Sequence, residues 1–311
     1  MPTLRERVEG GIIGLLVGDA LGVPYEFHEP EQIPPPEQIE YAPPAGFDRA
    51  HRGVPPGAWS DDGAQALCLL ASLLDRGRFD AADFGRRLLD WYERGYLAVD
   101  GKVFDVGITT GAALRRLRSG VPALEAGPAE ENTQGNGSLM RVLPLALWHR
   151  GADADLVADA RAQSRVTHGH LTAQMCCAQY CLWARGVLRD VAEPWEAAVS
   201  TLRELFPLGT EEREALDERI RPDEPPHGEG SGYVVDCLRS ARLAQSAGGF
   251  EAVARFAIRL GHDTDTTACV AGGIAGLRAG VADIPERWRD GLRGNELVEP
   301  LLARLCGALS C

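Results

Sequence analysis

Thr3-Leu4-Arg5-Glu6-Arg7-Val8-Glu9-Gly10-Gly11-Ile12-Ile13-Gly14-Leu15-Leu16-Val17-Gly18-Asp19-Ala20-Leu21-Gly22 carries the clearest structural instruction in the chain. Thr3 and Glu6 stand at capping-box spacing, which predicts a helix start. Gly10, Gly14, Gly18 and Gly22 then recur every fourth residue, so they form one ridge without side chains, along which a second helix can approach closely. The surrounding residues are apolar, so this first helix is expected to be buried. Asp19 lies inside it and is expected to hydrogen-bond nearby backbone. Residues 10–23 also imitate the apolar region of a secretion signal. Against that reading, Asp19 interrupts the run, Glu6 and Glu9 precede it, no cleavage-like segment follows, and the run is too short for a bilayer.

Beyond this helix, residues 24–59 hold nine of the twenty prolines and show no periodicity. A long irregular loop is expected there, and loops of that length commonly rim a functional cleft. From Ser60 onward, helical patterns recur at about 61–75, 80–95, 107–118, 138–149, 153–163, 168–190, 193–205, 232–246, 249–260 and 265–280. Period-two strands are absent, and an acidic Pro/Gly-rich loop is expected over about 207–231. No fixed-period repeat is visible, and neither loop separates two self-sufficient hydrophobic halves, so residues 1–311 are expected to form a single all-α domain.

Composition agrees with this picture. With 311 residues and 45% hydrophobic content the chain can bury a substantial core. Its net charge of −13, without a basic cluster, excludes the usual footprint of a nucleic-acid binder. Eight cysteines (68, 176, 177, 181, 237, 269, 306 and 311) show no CxxC pair and mostly sit in apolar helical stretches. They are expected to be reduced core thiols, which points to the cytoplasm; no membrane partner is expected.

Two segments carry the chemical signal: Trp59-Ser60-Asp61-Asp62-Gly63 and Gly261-His262-Asp263-Thr264-Asp265-Thr266-Thr267, each just before an apolar helical run. Either alone reads as a helix cap, since Ser, Thr and Asp satisfy free N–H groups and the dipole favours carboxylates there. Together they offer four carboxylates and the Ser60 and Thr266 hydroxyls. Four like charges in one site would repel strongly, and two divalent ions would balance them. An all-oxygen set suits hard ions such as Mg²⁺ or Mn²⁺. Spacing alone does not bring the clusters together, and by themselves they suit an unrelated two-metal phosphohydrolase equally well.

Further motifs stand in a fixed order: Gly18-Asp19-Ala20-Leu21-Gly22 with Glu26, Ser60-Asp61-Asp62, Gly135-Asn136-Gly137-Ser138-Leu139-Met140-Arg141, Thr167-His168, and Gly261 to Thr266. This series resembles the ADP-ribosylglycohydrolase family over about residues 8–280. The resemblance implies a compact orthogonal multi-helix bundle with a binuclear metal centre, held by Ser60, Asp61, Asp62, Asp263, Asp265 and Thr266. Gly63 departs from the family pattern, where a Thr is common, and so does His262, where a second Gly is common. Neither position is implied to be a ligand.

The resemblance also assigns Glu26 to positioning or activating the attacking water. Phe104-Asp105-Val106-Gly107-Ile108-Thr109-Thr110 is similar to an element of the dinitrogenase reductase-activating, arginine-specific branch, which makes Asp105 a candidate for pairing with the guanidinium. Capping of the helix near Gly107 is an equal alternative for Asp105. The turn Gly135-Asn136-Gly137-Ser138 is expected to open a helix, kinked at Pro144, whose N–H groups cradle a diphosphate. Asn136, Gly137, Ser138 and His168, the last at another helix start, are then implied ADP-ribose contacts. Tyr233 is expected either to stack on adenine or ribose or to pack in the core. The implied substrate is an ADP-ribosylated protein or an ADP-ribose-containing small molecule. The favoured reaction cleaves the N-glycosidic bond to arginine. Hydrolysis of serine-linked, O-acetyl- or poly-ADP-ribose, and a catalytically silent ADP-ribose binder, are the alternatives.

Overall fold

A computed structural model describes residues 2–309; Cys311 lies outside the described residues. Fifteen α-helices follow one another: α1 (Leu4–Gly22), α2 (Asp61–Arg76), α3 (Ala81–Arg94), α4 (Ile108–Arg118), α5 (Ala123–Ala126), α6 (Leu143–Trp148), α7 (Asp153–Arg165), α8 (Leu171–Leu188), α9 (Pro194–Leu205), α10 (Glu211–Glu214), α11 (Val234–Ala244), α12 (Phe250–Arg259), α13 (Thr264–Ala279), α14 (Glu286–Gly291) and α15 (Asn295–Leu309). Among the described residues the only β pairing is an isolated bridge between Gly135 and Tyr233. The expected all-α class is what the chain adopts.

The glycine ridge works as its spacing implies. Thr3 and Glu6 form the capping box of α1, and α1 packs along α13 more extensively than any other pair of helices. A Cβ on Gly10, Gly14 or Gly18 would stand 2.3, 2.5 or 2.1 Å from a backbone carbonyl oxygen of α13, and one on Gly22 would stand 2.3 Å from the Asp265 Cα. The missing side chains therefore bring the C-terminus of α1 against the N-terminus of α13, where one acidic cluster begins. By length, and by a mean hydropathy of 1.3, Leu4–Tyr25 could cross a membrane, but 89% of its most apolar window is buried. Packing, not shortness, thus argues for a core helix.

Several helix boundaries differ from expectation. The run 138–149 is helical only over α6, because Leu139 and Met140 N–H groups turn back to the Asn136 carbonyl at 2.8 and 3.1 Å. Pro144 stands in the first turn of α6, where its missing N–H costs nothing, so it starts the helix rather than kinking it. Thr167 and His168 lie in the turn after α7, and α8 starts at Leu171 with His170 as its cap. The 207–231 segment is not all loop: α10 continues into a π-helical turn over Ala215–Ile220. Helices α14 and α15 lie beyond the expected set; Pro300 inside α15 obscured a pattern in which Val298, Leu301, Leu302 and Leu305 face the core. The seven described cysteines are all buried, and Cys68, Cys176, Cys177, Cys181, Cys237 and Cys269 are free thiols.

Candidate active site

Two helix N-termini meet at the floor of one cleft. Asp19 accepts from the Ser60 N–H at 2.9 Å and from the Gly63 N–H at 2.8 Å, so α1 caps the start of α2 from across the fold. Asp19 is thus structural, as expected, although the backbone it serves is remote in sequence. Gly63 is required by space: a Cβ there would meet Leu16 Cδ2 at 2.7 Å and Trp59 Cγ at 2.8 Å. Ser60 is the N-cap of α2 and accepts from the Asp62 N–H at 3.2 Å. Opposite, Thr266 in the first turn of α13 donates to Asp62 Oδ1 at 3.4 Å. Asn136 Nδ2 donates to Asp263 Oδ2 at 2.8 Å, tying the glycine-rich turn to the second cluster. The two acidic segments, some 200 residues apart in sequence, therefore share one site.

A cavity of about 570 Å³ opens over them. Asp61, Asp62, Asp263 and Thr266 line it from one side and Glu26 and Asp105 from another. Asn136, Gly137 and His168 contribute a further wall. Asp265 and Ser60 are buried beneath, with an Asp265 oxygen within 4.8 Å of oxygens of both Glu26 and Asp263. Ser138 does not reach the cavity. It is fully buried, and its hydroxyl is engaged by Ser164 Oγ at 2.8 Å. The turn Gly135–Ser138 is also not a helix N-terminus, so the expected cradle of helical N–H groups is not formed. Tyr233 is neither core nor cavity wall: it is 42% exposed and lines an adjoining groove with Ile108 and Thr109.

The electrostatics follow from burial. Asp61, Asp62, Asp265 and Glu26 are all held well above the usual carboxylate range, first by burial and then by neighbouring carboxylates. Burial, with Asp263 beside it, raises Asp105 to about 6. His168 moves the other way, to about 3, because burial and then Arg141 disfavour a charged ring; it is a neutral imidazole whose Nδ1 lies 2.8 Å from Thr167 Oγ1. Asp105 does not cap α4: Gly107 holds that position without a side-chain bond, while Asp105 takes φ +56° and faces the cavity. Asp62 Oδ2 and Asp265 Oδ2 are buried and find no hydrogen-bond partner among the described residues. Orphaned carboxylate oxygens in a cluster of like charges are what cations would satisfy, so this donor set fits hard divalent ions.

Three supporting residues escaped the sequence reading. Gln65 Nε2 donates to Asp61 Oδ2 at 2.8 Å, and the buried Arg141 donates to Gln65 Oε1 at 2.7 Å. Gln65 is one helical turn beyond Asp61, a spacing that was there to be read. Arg141 ends the Gly135-to-Arg141 motif, where nothing in the residue order points to a buried partner. The third, His51, lies 2.5 Å from Glu26 through its Nε2, in a loop without any periodic signal.

Comparison with known proteins agrees with this geometry. A family model described as ADP-ribosylglycohydrolase matches residues 1–310. ADP-ribosylarginine hydrolase Tri1 of Pseudomonas putida is 31% identical over 96% of this chain and 78% of its own length. ADP-ribosyl-[dinitrogen reductase] glycohydrolase of Rhodospirillum rubrum is 29% identical over 92% of this chain and 90% of its own. A solved structure titled ADP-ribosylglycohydrolase-related protein complex superposes with a TM-score of 0.77, at 33% identity, over 98% of both chains.

Proposed function

The chain belongs to the ADP-ribosylglycohydrolase family, and from that premise we propose that it removes ADP-ribose from modified proteins, with the N-glycosidic bond to arginine as its main target. The observation that carries this reading is one cavity lined by both acidic clusters together with Glu26 and Asp105. Water adds to the anomeric carbon and gives up a proton, the carbon–nitrogen bond to the guanidinium breaks, the nitrogen takes a proton, and ADP-ribose and the protein with its unmodified arginine side chain leave.

Ser60, Asp61, Asp62, Asp263, Asp265 and Thr266 would hold two divalent cations, Mg²⁺ or Mn²⁺, which when bound supply positive charge to the ribose oxygens and the attacking water. Glu26, whose carboxyl lines the cavity beside the acidic clusters, takes a proton from that water. Asp105, close to half-protonated near pH 6, pairs with the guanidinium and serves the departing nitrogen. Gly137 lets the turn approach closely: a Cβ there would meet the His168 ring at 2.8 Å. Neutral His168 and Asn136 are suited to hydrogen-bond ribose and phosphate without adding charge, and Tyr233 offers an exposed ring on which adenine or ribose can stack.

The whole chain acts as a single domain, and its reduced thiols suit the cytoplasm. The partner is an ADP-ribosylated protein, with free ADP-ribose conjugates as the small-molecule alternative; nucleic acid and membrane are not partners. Product analysis after incubation with an arginine-ADP-ribosylated peptide tests the reaction. Intact ADP-ribose is the expected product, and Glu26→Gln should slow its release by about 10²–10⁴-fold while still folding. AMP plus ribose phosphate would instead mean cleavage of the diphosphate.

A further inference from the structure

The proline-rich loop that presents Glu26 returns beneath it at His51. The imidazole Nε2 lies 2.5 Å from Glu26 Oε2 and 3.9 Å from Asp105 Oδ1. Two aromatic rings pack near the imidazole, with centroids 5.6 Å away at Phe27 and 5.1 Å away at Phe104. Glu26 and Asp105 line the cavity and His51 does not, so His51 reaches substrate only through them.

The backbone around this contact is held under strain. Phe27, His51 and Asp105 have φ of +63°, +47° and +56°, a region that L side chains seldom adopt. Strained residues persist where the surrounding contacts over-determine them. Here two backbone bonds lash the Glu26 segment to the second acidic cluster: Phe27 N–H to the His262 carbonyl at 2.8 Å, and His262 N–H to the His28 carbonyl at 2.7 Å. The backbone at Glu26 is thereby fixed, but its side chain retains three rotatable bonds beside Asp105, Asp263 and Asp61, which repel it. A polar partner that bridges Glu26 and Asp105, as the His51 Nε2 does, keeps the carboxyl in one orientation.

We propose that His51 is a positioning residue of this hydrolase, orienting the Glu26 carboxyl toward the attacking water and holding it in register with Asp105. This rests on the assignment of Glu26 to the reaction. Steady-state kinetics on an arginine-ADP-ribosylated peptide, at saturating Mg²⁺ or Mn²⁺, test it for wild type, His51→Phe and His51→Gln, with a melting curve for each. His51→Phe preserves an aromatic ring near Phe27 and Phe104 but has no nitrogen. Its kcat should fall about 10–100-fold, as misplacement of a reacting group does, while KM and Tm stay near wild type. His51→Gln, with an amide able to reach Glu26, should recover most of kcat. An undiminished kcat in His51→Phe overturns the proposal. A loss in both variants that follows a loss of Tm also overturns it, because His51 would then serve only the fold. Wild type that releases no ADP-ribose sinks the hydrolase reading itself, an outcome distinct from an active wild type with an equally active His51→Phe.

Discussion

Asp105 shows most directly how position sets chemistry at the scale of a single residue. An ordinary carboxyl near 3.8 is raised to about 6 by burial and by Asp263. Between those values the folded state binds more protons than the unfolded one, so stability contributed at low pH is lost as pH rises. In metal-free protein, the stability of wild type relative to Asp105→Asn should therefore fall from pH 4 to pH 6, read by urea denaturation at each pH; a pH-independent difference would contradict it. The sequence made Asp105 legible as a carboxylate of interest but left a helix cap as an equal choice. Its left-handed backbone, invisible in the residue order, turns it into the cavity. Ser138 failed for a related reason: its motif is present, but Ser164 takes its hydroxyl. For Ser60, cap and candidate ligand are compatible, since a hydroxyl oxygen has lone pairs to spare after accepting the Asp62 N–H.

Helices place these residues, and the pairing of α1 with α13 matters most. Gly18→Ala would put a Cβ 2.1 Å from the Ala268 carbonyl oxygen, forcing the helices apart at a cost of about 1–3 kcal/mol or more. Gly307→Ala in α15 meets nothing within 4 Å and should be neutral or stabilising by up to about 1 kcal/mol. Denaturant midpoints of the two variants separate close packing from a generic glycine effect; equal shifts would refute the ridge. This element was legible because its spacing is strictly periodic and capped. The starts of α6 and α8 were not: the Asn136 carbonyl takes the Leu139 and Met140 N–H groups into a turn before α6, and α8 is capped by His170, an uncommon capping residue, rather than by Thr167. The loop over 24–59 was read as a rim, but only the fold folds His51 back onto Glu26.

At the scale of the whole molecule, convergence of the acidic clusters makes folding and cation binding one problem. Buried carboxylates with orphaned oxygens oppose each other without a counter-ion. Mg²⁺ or Mn²⁺ should therefore raise Tm, since a ligand that binds only the folded state stabilises it. Asp265→Asn should lose most of that rise while melting no lower than wild type in chelator, because it removes one of the repelling charges; a variant that still gained the full rise would exclude Asp265 from the metal site. The order of motifs made the family legible, whereas the placement of Asp105 in the cavity wall depends on a backbone turn that the residue order does not show. Metal-dependent hydrolysis of arginine-linked ADP-ribose is best tested by measuring release of free ADP-ribose from arginine-modified and serine-modified peptides, with Mg²⁺ or Mn²⁺ and with chelator. The expected result is release from the arginine peptide only, abolished by chelator; release from the serine peptide alone, or release unaffected by chelator, would contradict it.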